Sequence, residues 1–264
     1  MARLALSIEY DGRAFEGWQS QTHGKTVQDK LQSAIALIAG HAVSLSCAGR
    51  TDSGVHATTQ VAHFDTTVTR PLSAWVRGVN AHLPNTISVR CAWEVAEDFH
   101  ARYSALARRY RYVLLNRPVR PAILAGKVGW FYLPLDLSVM QSAATAILGE
   151  QDFSAFRAAE CQAKSPVRTV REARVFQQGD VICFDFEANG FLHHMIRNLV
   201  GALVHIGKGE AEAAYMNELL EMRDRRRAPP TFMPDGLYFC GVEYPDNWSL
   251  PGQGRIIVPP TLIV

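Results

Sequence analysis

Much can be excluded from what this chain lacks. Its five cysteines (Cys47, Cys91, Cys161, Cys183 and Cys240) stand singly, with no Cys-x-x-Cys pair and an odd count, so no disulfide framework is expected. No run approaches the roughly 18 uninterrupted apolar residues of a membrane helix. Glu9 and Asp11 come too early for the apolar core of a secretory leader. A cytoplasmic protein with no membrane partner is the expectation. Gly-x-Ser-x-Gly, His-Glu-x-x-His, the P-loop and Gly-x-Gly-x-x-Gly are absent; Gly207-Lys208-Gly209 lacks the third glycine and follows a helical pattern, so no cofactor is expected. His193 and His194 are adjacent, and on a helix they would point about 100° apart, a poor metal pair. No metal is expected either. An excess of one charge is also missing. Lys plus Arg is 27 and Asp plus Glu 25, a net charge of +2, which argues against a polybasic nucleic-acid binder.

What is present is a folded composition: 264 residues, 48% hydrophobic and 20% charged, enough for one large domain or two modest ones. Arg3–Tyr10 alternates as a strand. Thr26 reads as an N-cap with Asp29 three residues on, followed by an apolar face at Val27, Leu31, Ala34, Ile35 and Ile38 and a stop at Gly40. Strands at 43–47 and 59–64, a helix from Leu72 to before Pro84 and a strand at 86–95 complete a β-α-β-β-α-β order. A similar order follows: a strand at 110–115, a helix at 137–148, strands at 170–177 and 181–188 joined by Gly179-Asp180, helices from His193 and over 213–222, and a strand at 237–244. The pattern predicts an α+β fold of two ferredoxin-like (split β-α-β) halves, with helices on one face of an antiparallel sheet and the other face open to a ligand. The expected division is 1–108, 109–245 and a C-terminal tail, 246–264.

The near-neutral total hides segregation. Between Asp98 and Asp136 there is no acid, yet Arg102, Arg108, Arg109, Arg111, Arg117, Arg120 and Lys127 lie there with Tyr103, Tyr110 and Tyr112. Guanidinium groups beside stacking rings suit RNA phosphates and unstacked bases, the bland alternative being a solvated strand face. A second basic group, Arg223 and Arg225–Arg227, follows an acidic helix and is equally well read as a C-terminal dipole partner. The densest local signal is Gly49-Arg50-Thr51-Asp52-Ser53-Gly54-Val55-His56, between two strands. Two glycines permit sharp turns, and a carboxylate flanked by cationic or imidazole groups can stay ionised as a nucleophile or base. An Asx-turn is the competing reading. Asp11-Gly12 and Asp235-Gly236 read as ordinary turns.

This octapeptide with its following Ala57 resembles the active-site loop of the TruA family of tRNA pseudouridine synthases. Tyr10-Asp11-Gly12 with Phe15 and Gly17-Trp18-Gln19 is similar to the family's opening motif, and Phe99-His100-Ala101-Arg102 with Arg109-Tyr110-Arg111-Tyr112 to its central one. Phe191–Asn198 resembles its late helix motif, and Gly236-Leu237-Tyr238 its closing strand. The resemblance implies an isomerase converting uridines at tRNA positions 38, 39 and 40, in the anticodon stem-loop, to pseudouridine. It implies Asp52 as catalytic nucleophile or base, Tyr110 stacked on the target base, Arg197 paired with the aspartate, and Arg50 on phosphate or the flipped nucleotide. Ser53 stands where the family more usually has alanine. Arg108, Arg109 and Arg111 are expected RNA contacts. The isomerisation needs no redox step, in keeping with the missing cofactor motifs, and a homodimer acting on tRNA is implied. Two rivals stay open: a non-catalytic RNA-binding module, and a glycosidase or lyase for which Asp65 is the next acid in sequence.

Overall fold

The structure is a computed structural model that describes residues 1–248. Of the expected tail, only its first residues fall inside that range. The described residues divide into two compact units: Met1–Arg108 with Tyr238–Trp248, and Arg109–Leu237.

The first unit contains β1 (Ala2–Tyr10), β2 (Ser46–Cys47), β3 (His56–Thr66), β4 (Ile87–Val95) and, from the far end of the chain, β10 (Leu237–Glu243). Their order is β4-β1-β3-β10, with β2 also on β3. β1 runs antiparallel to both neighbours, whereas β10 lies parallel to β3 through Tyr238↔His56 and Phe239↔Ala57. Helix α1 (Val27–Ala39) starts where the capping pattern requires: Asp29 N–H donates to Thr26 Oγ1, and the chain leaves through Gly40 in the left-handed conformation at φ 72°. It buries Val27, Leu31, Ala34 and Ile35. The helix expected from Leu72 is present over 72–80, widened to a π-type stretch at Ala74–Gly78. There Trp75 packs edge-on to Phe64, centroids 5.3 Å apart, and Gly78 meets α1 so closely that a Cβ would lie 2.9 Å from Ile38 Cδ1. The strand expected at 43–47 is only Ser46–Cys47.

The second unit contains β5 (Ala107–Asn116), β6 (Gly129–Phe131), β7 (Gly149–Asp152), β8 (Val167–Gln178) and β9 (Val181–Ala188), ordered β5-β9-β8-β7 with β6 parallel to β5. Helices α2 (Leu137–Thr145), α3 (Met195–Gly207) and α4 (Tyr215–Met222) accompany them. The α3 stripe of Ile196, Leu199, Val200 and Leu203 is buried as its spacing requires. Asp136 caps α2 by accepting from the N–H groups of Ser138 and Val139. No helix among the described residues is long and apolar enough to cross a membrane.

The fold is α+β in two units, but the central strands are not open on one face. In β1 every residue from Leu4 to Ser7 is buried, and in β9 every residue from Ile182 to Ala188. In the first unit the second face is covered by the loop after β4. His63, opposite Ala5, packs its ring edge-on against Phe99 and His100, with centroids 6.0 and 4.6 Å away.

Candidate active site

Residues 48–55 join β2 to β3, and the conformation of this loop is dictated from below. Val55 N–H donates to Asp52 O at 3.1 Å, closing a turn whose third residue, Gly54, has φ 80°, a conformation that favours glycine. Thr51 is gripped twice: Trp18 N–H donates to its carbonyl at 3.0 Å, and its hydroxyl meets that of Tyr10 at 2.8 Å. Burial pushes the Tyr10 phenol well above its ordinary pKa, so it stays neutral. Two glycines let the backbones touch. A Cβ at Gly12 would lie 2.0 Å from Val55 O, and one at Gly17 2.9 Å from Thr51 O. Gly12 is therefore no ordinary turn residue; it is the floor on which the loop rests.

Around this floor Gly12 N–H donates to His56 Nδ1 at 3.1 Å, with Asp11 Oδ1 3.3 Å from the same nitrogen. The His56 ring stacks on Tyr238 at 4.7 Å. Ser53 Oγ donates to Phe15 O at 3.3 Å. Asp52, half-buried, and Arg50, exposed, thus share one pre-formed loop of the first unit. Beneath it the Cys47 thiol is pushed up to about 12 by burial and is inert as a nucleophile at neutral pH.

Tyr110 and Arg197 belong to the second unit. Tyr110, on β5, is buried and meets the Phe191 ring edge-on at 5.1 Å. Arg197 lies in the first turn of α3, its Nε donating to Phe232 O at 2.8 Å, while Phe232 N–H returns to Arg197 O. The 230–232 segment lies so close that a Cβ on Gly201 would come 2.5 Å from Pro230 O. Gly236, also read as an ordinary turn, is wedged between β5 and β6: its Cβ would stand 2.3 Å from Val113 O and 2.6 Å from Gly129 N.

The acid-free stretch of sequence is not acid-free in space. Arg109 Nε meets Glu187 Oε2 at 2.5 Å, and Arg111 holds Asp185 through Nε and Nη2 at 2.5 and 2.6 Å; both acids come from β9. Arg108 is buried, and its guanidinium donates to the carbonyls of Ala48, Ala105 and Arg102. In the second basic group Arg225 donates to Asn198 Oδ1, Thr231 Oγ1 and the carbonyls of Ala228 and Pro229. Arg226 is forked onto Asp224, whose carboxyl it holds at about 2. The two histidines are not on a helix. α3 begins at Met195, His194 takes the left-handed conformation at φ 63°, and the rings of His193 and His194 lie 4.0 Å apart rather than splayed.

Residues 6–104 and 143–245 match the tRNA pseudouridine synthase family. The chain belongs to that family. It is 61% identical to the tRNA pseudouridine synthase A of Aromatoleum aromaticum over 98% of both chains. It is also 61% identical to that of Dechloromonas aromatica, over 94% of this chain and 95% of the relative, and 54% identical to that of Neisseria meningitidis serogroup B, over 94% of each. Among solved structures, a chain in the crystal structure of a Cbf5-Nop10-Gar1 complex is similar at 13% identity and a TM-score of 0.35, covering 89% of this chain and 48% of that one, too low to carry an argument.

Proposed function

We propose that this enzyme isomerises uridines 38, 39 and 40 in the anticodon stem-loop of tRNA to pseudouridine, with Asp52 as its catalytic residue. The bond from N1 to C1′ breaks, the uracil turns, and C5 bonds to C1′; no atom or electron is added. Asp52 serves by adding to C1′ or C6, or by taking a proton from C2′. Tyr110 stacks on the flipped base, where base-aromatic stacking of about 1–3 kcal/mol offsets an unstacking cost of a few kcal/mol. Arg197 pairs with the aspartate and Arg50 holds phosphate or the flipped nucleotide. Arg109 and Arg111 would meet RNA as members of ion pairs, and Arg108 through the loops that it ties together. The protein acts in the cytoplasm as a homodimer across which one tRNA lies.

The observation that carries this reading is the support of the 48–55 loop. Tyr10, Gly12, Phe15, Gly17 and Trp18 all hold it, so a half-buried carboxylate is presented on a backbone that need not reorganise during reaction. A pure RNA-binding module has no use for such a device. The glycosidase rival loses its second acid, because Asp65 is forked onto Arg3 at 2.7 and 2.8 Å near the other end of β3. Purified protein is incubated with unmodified tRNA, and pseudouridine is mapped by carbodiimide-stop sequencing beside Asp52→Asn. The expected result is stops at 38–40 for the wild type and none for the variant, with tRNA binding retained. Turnover by Asp52→Asn would remove Asp52 from the chemical step, and stops elsewhere would revise the substrate.

A further inference from the structure

The loop between β4 and β5 carries three side chains that the proposed chemistry leaves unused. Tyr103 is 75% exposed, yet it is not loose: the His100 ring centroid lies 4.4 Å from its own, and the Arg102 guanidinium stands 5.6 Å from its centroid. The backbone beneath is fixed throughout. His100 N–H donates to Ser104 Oγ and Ser104 N–H returns to His100 O, each at 2.9 Å. His100 Nδ1 accepts from the N–H groups of Arg102 and Tyr103 at 3.1 and 3.3 Å. Ala101, fully buried, donates its N–H to His63 Nδ1 at 3.2 Å and accepts the Tyr244 hydroxyl at 2.7 Å.

Arg108 then ties this loop to the candidate catalytic one. The same guanidinium reaches Arg102 O and Ala105 O on one side and Ala48 O, at 3.2 and 3.3 Å, on the other. A ring held in solvent by a braced loop adds nothing to the core, whereas rigid aromatic area beside a guanidinium is what an unstacked base and its phosphate recognise.

We propose that Tyr103 and Arg102, braced by His100, form a second RNA contact, with Tyr103 stacking on an unpaired base of the tRNA beside the nucleotide taken by the 48–55 loop and Arg102 on its phosphate. This rests on tRNA being the substrate. Arg108 is the positioning residue that sets the distance between the two contacts.

The test is equilibrium binding of unmodified tRNA across a salt series by the full chain and by Tyr103→Ala, Tyr103→Phe and Arg102→Gln, with melting temperature and sedimentation alongside. Tyr103→Ala should weaken binding about tenfold at unchanged melting temperature, since stacking lost per base falls in that range. Tyr103→Phe should stay within about twofold of wild type. Arg102→Gln should lower the slope of log affinity against log salt by about one, as loss of a phosphate contact does. Wild-type affinity in Tyr103→Ala overturns the proposal. So does a change in sedimentation with tRNA affinity intact, which would make the loop a contact between protein chains. Because binding is read without turnover, a wild type that binds tRNA but converts no uridine would defeat the proposed reaction while this contact is still decided.

Discussion

The hydroxyls of Tyr10 and Thr51 lie 2.8 Å apart in a buried hydrogen bond that joins the last residue of β1 to the residue before Asp52. Tyr10→Phe removes one hydroxyl and leaves the other buried without it, at a cost of about 1 kcal/mol, or roughly 2–4 °C of melting temperature for a chain of this size. The single-turnover rate on tRNA should fall several-fold while tRNA affinity holds, because the loop loses its grip on Thr51. A lowered melting temperature with an unchanged rate would reduce this bond to a fold contact.

Gly12 and Gly24 separate space from backbone conformation. At Gly12 a Cβ would collide with Val55 O at 2.0 Å; at Gly24, φ 69°, nothing lies within 4 Å. Gly12→Ala should therefore displace the 48–55 loop, losing activity and more than about 3 kcal/mol of stability, beyond ordinary overpacking. Gly24→Ala should cost about 1 kcal/mol, from the left-handed backbone alone, and keep its rate. Urea unfolding and tRNA turnover on both variants check the contrast, which equal losses would refute.

Arg111 and Asp185 form a forked pair whose side chains are 14% and 4% exposed. Truncating either alone strands a charge, so Arg111→Met should destabilise by about 3 kcal/mol. The double variant Arg111→Met with Asp185→Leu should recover much of that loss. Recovery in urea melts marks a fold-holding pair, and a double variant no better than the single would mean that Arg111 acts elsewhere.

His63 makes stability depend on pH. Its imidazole is held at about 4, chiefly by burial, with His100 and Arg3 adding repulsion that Asp65 only partly offsets. In the unfolded chain the same ring titrates near 6.5, so its penalty is absent above about pH 6.5 and grows as pH falls to about 4, because between those values the unfolded state takes the proton and the folded state does not. The slope reaches about 1.4 kcal/mol per pH unit from this group. His63→Asn keeps an acceptor for Ala101 N–H and cannot titrate. Urea midpoints should fall less steeply from pH 6.5 to 4.5 in that variant, and an unchanged slope would place the acid sensitivity in other groups.

Local signals were the ones the sequence made readable. Thr26 with Asp29 marks the start of α1 and Gly40 its end, and Val181–Ala188 is bounded by the Gly179-Asp180 turn on one side. What escaped depends on distant partners. β7, Gly-Glu-Gln-Asp, has no apolar alternation because none of it is buried; β8 alone makes it a strand. The helix from Leu72 was legible, but its π-type widening at Ala74–Gly78, packed on Phe64 and Ile38, lies outside any local window. In the site, motif spacing located the Asp52 loop but could not tell that Gly12 and Gly17 touch it. The arginines of β5 looked unopposed because their acids lie 74 and 78 residues away, on β9.

The pairing of β10 with β3 imposes an order on synthesis. His56 and Ala57, which follow the 48–55 loop, gain their parallel neighbour only when Tyr238 and Phe239 have been made, after residues 109–237 of the second unit. The bond from Tyr244 to Ala101 and that from Leu106 N–H to Glu243 O come later still. A nascent chain released from the ribosome before this point carries Asp52 on a loop whose outgoing strand has β1 on one side and nothing yet on the other. β10 thus acts as a latch on the first unit, one that closes only after the intervening second unit has been made.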